Sequence, residues 1–175
     1  MPSWTDPKTW SVGAALPAAE LNTYVRDNTN STAHLLAYKS ADESVTSSTT
    51  LQNDDHLFLA MGANDIWYVS VGVLVNDASS SVADIKIAFT FPSGSLALYT
   101  IYSDTGSTIA FHEWRVSGTA DSLGVTNVDR FITIAGIATN GATPGNLQMQ
   151  WAQVVSNAAA VTVKKGSLIT GFKLA

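Results

Sequence analysis

From residue 56 onward the chain is governed by one pattern, alternation with a period of two, and this restricts it to strands. Ile85, Ile87, Phe89 and Phe91 point one way while Asp84, Lys86, Ala88 and Thr90 point the other. Leu147, Met149 and Trp151 oppose Gln148, Gln150 and Ala152 in the same manner. Trp67, Val69, Val71, Val73 and Val75 form a longer apolar row, with small residues such as Ser70 and Gly72 opposite. Strand-like runs occupy 56–61, 66–75, 83–91, 95–102, 108–116, 128–138, 146–155 and 160–174, and a short one surrounds Val45. Gly, Asn, Asp, Ser and Pro separate them, and no helical period intervenes. Many short strands without interleaved helices predict a mainly β protein, an antiparallel β-sandwich of jelly-roll type.

The first forty residues follow other rules. Residues 1–16 hold Trp4, Pro7, Trp10 and Gly13 with no period and read as an extended arm. Leaving large aromatic side chains in water forgoes about 1.5–3 kcal/mol each, so the two tryptophans are expected to dock on the chain's own sandwich, on a neighbour or on a larger assembly, the last making Trp4, Pro7 and Trp10 the attachment residues. Residues 17–36 read as one helix opened by Pro17, with Glu20 in its first turn. Leu21, Val25, Asn28, Thr32 and Leu35 share a narrow stripe, with Tyr24 beside it. That stripe suits either a trimer seam, in which Asn28 fixes register, or a surface helix on the sandwich. Residues 39–55 read as a linker with a turn at 52–55. The expected organisation is an attachment arm and helix over 1–40 and a sandwich over 41–175.

Composition narrows the function. Of the 175 residues 46% are hydrophobic but only 13% charged, so neutral polar surface or neighbouring subunits must cover the sheets. A net charge of -5 with scattered basic residues argues against nucleic acid. No run approaches the roughly 18 apolar residues of a membrane span. The opening residues lack a secretion signal, so synthesis in a cytoplasm is expected. The absence of cysteine excludes disulfides and thiolate chemistry.

Catalytic constellations are thin. His112-Glu113 begins like a zinc-protease motif, but Val116 stands where the second histidine is required. Asn53, Asp54, Asp55 and His56, with Asp77 and Asp104, could supply calcium ligands, although an Asx turn explains the first group better. Asp104, Glu113, Asp121 and Asp129 are carboxylates that nothing in the sequence pairs. No enzyme activity, metal or cofactor is expected. Tyr99, Tyr102 and Trp114 could stack on a sugar ring.

Three segments carry a resemblance. Trp4-Thr5-Asp6-Pro7-Lys8-Thr9-Trp10 with Leu21-Asn22-Thr23-Tyr24-Val25-Arg26-Asp27-Asn28 resembles the N-terminal signature of tailed-bacteriophage virion proteins of the minor tail, tail-fibre and head-fibre kinds. Leu147-Gln148-Met149-Gln150-Trp151-Ala152-Gln153, Thr162-Val163 and Gly166-Ser167-Leu168 are similar to C-terminal strands of the same set, and Leu51-Gln52-Asn53-Asp54-Asp55 matches a turn found there. The middle, roughly 76–130, carries no match, and Pro17 replaces a polar helix cap. The resemblance implies a virion structural protein made in the host cytoplasm. It would be a homotrimeric knob bound to other capsid or tail proteins through its N-terminal part, with no catalytic residues. Recognition of a host-surface glycan is the alternative it leaves.

Overall fold

The computed structural model describes residues 5–31, 34–93, 95–103 and 117–174. Its strands are β1 (His34–Tyr38), β2 (Glu43–Val45), β3 (Gln52–Met61), β4 (Ile66–Asp77), β5 (Ile85–Thr90), β6 (Leu96–Ser103), β7 (Ala120–Leu123), β8 (Arg130–Thr139), β9 (Gly145–Gln153), β10 (Val161–Val163) and β11 (Leu168–Lys173). All pairings between them are antiparallel.

Apart from β6, which pairs with β8, the pairings are nested. β1 and β2 pair with β11 and β10, β3 with β9, β4 with β8, and β5 with β7. A long hairpin paired in this way rolls up when its outer strands reach inner ones, here β11 and β10 along β4, and β9 along β5. The result is a jelly-roll sandwich. Its wider sheet runs β1/β2, β11/β10, β4, β8, β6, and its narrower sheet β3, β9, β5, β7.

The alternation read from sequence is the alternation of burial. Val69, Val71, Val73 and Val75 from β4 meet Ile85, Ile87 and Phe89 from β5 and Leu147, Met149 and Trp151 from β9 in one core. Two glycines show how closely it is packed. A Cβ on Gly171 would stand 2.9 Å from Leu59 Cδ1, and one on Gly72 would stand 2.6 Å from Phe131 Cζ. The first lies within the core, and the second lets an aromatic ring cover bare backbone on the outer face.

Several expectations are corrected. The helix ends by Ser31, and residues 34–38 form β1 rather than further helix. Leu35 therefore leaves the stripe and packs against the core from β1. The sandwich accordingly begins at His34, inside the stretch assigned to arm and helix. Pairing with β11 outweighs the weak helical period there, because an edge strand gains a full ladder of bonds and a covered face. The expected strand at 108–116 lies outside the described residues, and β7 was not expected. The run at 160–174 divides at Gly166, whose φ of +92° makes the turn between β10 and β11.

Residues 39–55 are not a linker. Lys39 is fully buried, with its Nζ 2.8 Å from Asp54 Oδ2 and a second ion pair to Glu43. Asp54 Oδ1 accepts the backbone N–H groups of His56 and Leu57, both at 2.9 Å. The predicted turn chemistry is thus present, but it forms a bulge inside β3, where the register against β9 shifts between Asn53 and Phe58.

Two other buried carboxylates hold the ends of β4. At Asp65, burial pushes the carboxyl up, but Lys173, the Gly62 N–H and the Trp67 indole N–H together bring it below its ordinary value. Asp77 is likewise raised by burial and lowered further by Ser79 and by the Asp84 N–H.

Two predictions follow from these buried charges. Lys39→Met or Asp54→Leu alone leaves a buried charge without its fully buried partner and is expected to cost about 3–5 kcal/mol in urea unfolding, while the double variant recovers only part of that loss, because Glu43 loses its lysine and the His56 and Leu57 N–H groups lose their acceptor. Equal losses in single and double variants would contradict the pairing. Asp65 and Asp77 have folded-state pKa values below the ordinary 3.8, so each contributes stability above that value and loses it as pH falls through its folded pKa. Melting temperature should hold from neutrality to about pH 5 and then fall, and Asp77→Asn should flatten that acid limb.

Candidate functional site

The arm and helix form a unit of their own. The helix is α over Ala18–Leu21, π over Asn22–Asp27 and α again over Asn28–Ser31. Two threonine hydroxyls return to backbone carbonyls four residues back, Thr23 to Ala19 and Thr29 to Val25, on either side of the widened π turn. The arm reverses at residues 11–14, where Gly13 adopts a φ of +78° and the Ala14 N–H reaches the Ser11 carbonyl.

From that turn the arm runs back along the helix. Asn28 acts on it as a neighbouring strand would: its Oδ1 accepts the Thr5 N–H at 2.9 Å and its Nδ2 donates to the Thr5 carbonyl at 2.8 Å. A further bond runs from Nδ2 to the Tyr24 carbonyl. The rings of Trp10 and Tyr24 meet edge to face at 6.3 Å. Lys8 pairs with Glu20 and lies 5.1 Å from the centre of the Trp10 ring.

Within this unit Asn28 is the one buried residue among those whose burial is described. Val12, Leu16, Leu21 and Val25 are exposed, Val12 and Val25 at 107% and 53%. Helices this short are marginal in water, and here the apolar side chains that could support one by packing face solvent. An arm folded onto such a helix and held by its own bonds offers an apolar edge to another molecule.

The structure therefore joins part of the expected attachment and seam sets. Trp10 packs on the helix, Pro7 is exposed beside it, and Trp4 lies outside the described residues. Leu21 and Val25 stay together on the exposed helix. Asn28 directs its amide at the arm of its own chain, while Leu35 has left for β1. Glu20 was legible as the first-turn acid of the helix, but its pairing with Lys8 and the bonds of Thr5 to Asn28 were not, because contacts between an aperiodic arm and a helix leave no spacing to read.

The other candidates resolve differently. Asp54 is spent on Lys39 and on the bulge, and Asp77 on the turn at Ser79. Asp129 pairs with Lys164 at 3.4 Å and accepts from Asn76. Among the described residues no group of three or more acidic, His or Cys side chains could hold a metal ion. Asp104, His112, Glu113 and Trp114 lie outside the described residues, as do the side chains of Tyr99 and Tyr102. No described helix is long and apolar enough to cross a membrane.

No family model and no curated protein matches the chain. Solved structures with some likeness include the Gt strain of infectious bursal disease virus, 9% identical over 81% of this chain and 37% of that one, with a TM-score of 0.24. The VP2 subviral particle of the same virus is 10% identical over 82% of this chain and 41% of that one, with a TM-score of 0.22. The chain thus spans well under half the length of these proteins. Such TM-scores fall short of a shared fold, and nothing about this chain's role follows from them.

Removing the Asn28 amide tests the latch. Asn28→Ala deletes both bonds to Thr5, worth about 1 kcal/mol each, and should speed protease cleavage within 5–13 on the order of tenfold. The melting temperature of the sandwich should be unchanged. A large fall in that temperature would mean that the arm supports the core.

Proposed function

We propose that this chain is a non-enzymatic structural protein of a tailed-bacteriophage virion. It is a homotrimeric knob bound to the particle through residues 1–16, serving as a capsid-decoration or head-fibre protein or as a minor tail protein. The observation that carries the reading is the arm–helix unit. It has defined internal contacts, yet Val12, Leu16, Leu21 and Val25 remain exposed. A preformed edge of this kind loses little entropy on docking.

Three further facts support it. The arm and the Leu21–Asn28 segment are the same residues that resemble the N-terminal signature of phage virion proteins. The jelly roll is an architecture used by viral capsid and lectin domains, which is an analogy of fold and no more. A low charged fraction, 13%, suits a protein that works inside an assembly.

Deletion of residues 1–16 tests this reading against gradient-purified particles. The truncated protein should keep its β-sheet circular dichroism and melting temperature but no longer sediment with particles. Undiminished sedimentation would place attachment elsewhere, and unfolding would make the arm part of the sandwich. Light scattering of the intact protein should give about three times 18.5 kDa.

A further inference from the structure

The wider sheet shows water a face unlike the rest of the molecule. Its outward positions alternate with the buried ones, and the antiparallel registers align them in rows across the strands. One row runs from His34 through Phe172 and Tyr68 to Ile137. All four are exposed, Phe172 at 49%, and His34 stacks on Phe172 with ring centroids 4.4 Å apart. The next row is small and polar or neutral across the three inner strands, Thr170, Ser70 and Ala135, and ends on β1 at exposed Leu36. Beyond it the side chains rise again, where the Phe131 ring leans over Gly72 next to half-buried Leu168.

The outcome is a ridge, a trough and a second ridge on one face. None of these positions holds Asp, Glu, Lys or Arg. Charges return only past the end of the rows, at Asp129 and Lys164. The narrower sheet contrasts with this, since its outward positions include Lys86, Gln148 and Gln150, and both glutamines are hydrogen-bonded within the chain.

We infer that this face is the surface through which copies of the chain meet. Resting on the multimeric reading above but not on a place in a virion, it commits to another copy of this chain as occupant, on three grounds. Copies that each carry a net charge of -5 repel one another, and a face without ionic side chains lets them touch without desolvating a charge. The relief is self-complementary over β11, β4 and β8: the trough lies between two ridges of the same face, so an offset of one row brings a ridge over the trough. Rotation about an axis parallel to the rows therefore seats one copy's ridge in the next copy's trough, whether two such faces stack or three close around the axis. The size also fits. Five strand positions at about 4.8 Å and eight residues at about 3.4 Å span on the order of 600 Å², before side-chain relief, against about 800 Å² per partner in a standard interface.

The test uses the full chain. Light scattering of Tyr68→Glu and Ile137→Lys should give 18.5 kDa where the parent gives a multiple of it, with circular dichroism and melting retained. Because the chain has no cysteine, single thiols give a second readout that does not depend on disruption. A cysteine at Ala135→Cys, in the trough, should react with a maleimide at least tenfold more slowly than one at Ser122→Cys on the other sheet. Dilution below the dissociation constant of the multimer should remove that difference. A parent that is monomeric at all concentrations, with equal thiol rates, overturns both this inference and the trimeric reading. A multimer that survives both face substitutions but dissociates with Val25→Asp overturns this inference alone and moves the seam to the helix. A dimer dissolved by the face substitutions supports the surface and removes the trimer.

Discussion

The fold depends on a charge that cannot reach water. Lys39 follows β1, the first strand of the wider sheet, and its ammonium is enclosed by Asp54 of β3, in the narrower sheet, and by Glu43 of β2. The chain crosses between layers in this stretch, and the buried pair fixes where. Only the corner that brings the carboxylate and ammonium together avoids two stranded charges, so misregistered crossings are penalised by several kcal/mol. Apolar packing alone would be less selective, since one valine row resembles another. The Ser167 and Gly166 backbone groups that bond the Lys39 main chain extend the constraint to the β10–β11 turn.

How much could be read in advance follows the kind of signal each element carries. The inward rows of β4, β5 and β9 were legible because burial in a sandwich imposes a strict period of two on a single strand. β1 was not, because its sequence alternates over only five residues and its stability comes from a partner over a hundred residues away. Lys39 was invisible for a similar reason: a lysine near serines and aspartates has the composition of a loop whether or not it is buried. At the assembly face a signal existed in the outward residues of β4 and β8. Tyr68 and Ile137 make those strands apolar on both sides, the mark of a sheet covered twice. Against the stronger valine row it read only as tolerance of small residues.

Arm and sandwich represent two regimes of stability. The sandwich rests on a core with fully buried valines, isoleucines and a tryptophan, whereas the arm and helix rest on an amide latch, one ring contact and exposed ion pairs. Screened surface pairs contribute little, so the outer unit can reorganise without disturbing the body.

The nested pairing also sets an order of events. The β5–β7 and β6–β8 pairs lie closest in sequence, and each successive pairing outward, through β4–β8 and β3–β9, closes a longer loop until β1 meets β11. The ledge from which the helix departs therefore becomes firm only when the most distant contact has formed. An immature chain would present its arm on an unsupported edge. The N-terminal edge of the sheet is thereby the last part of the body to become firm, so that its order reports completion of the whole sandwich.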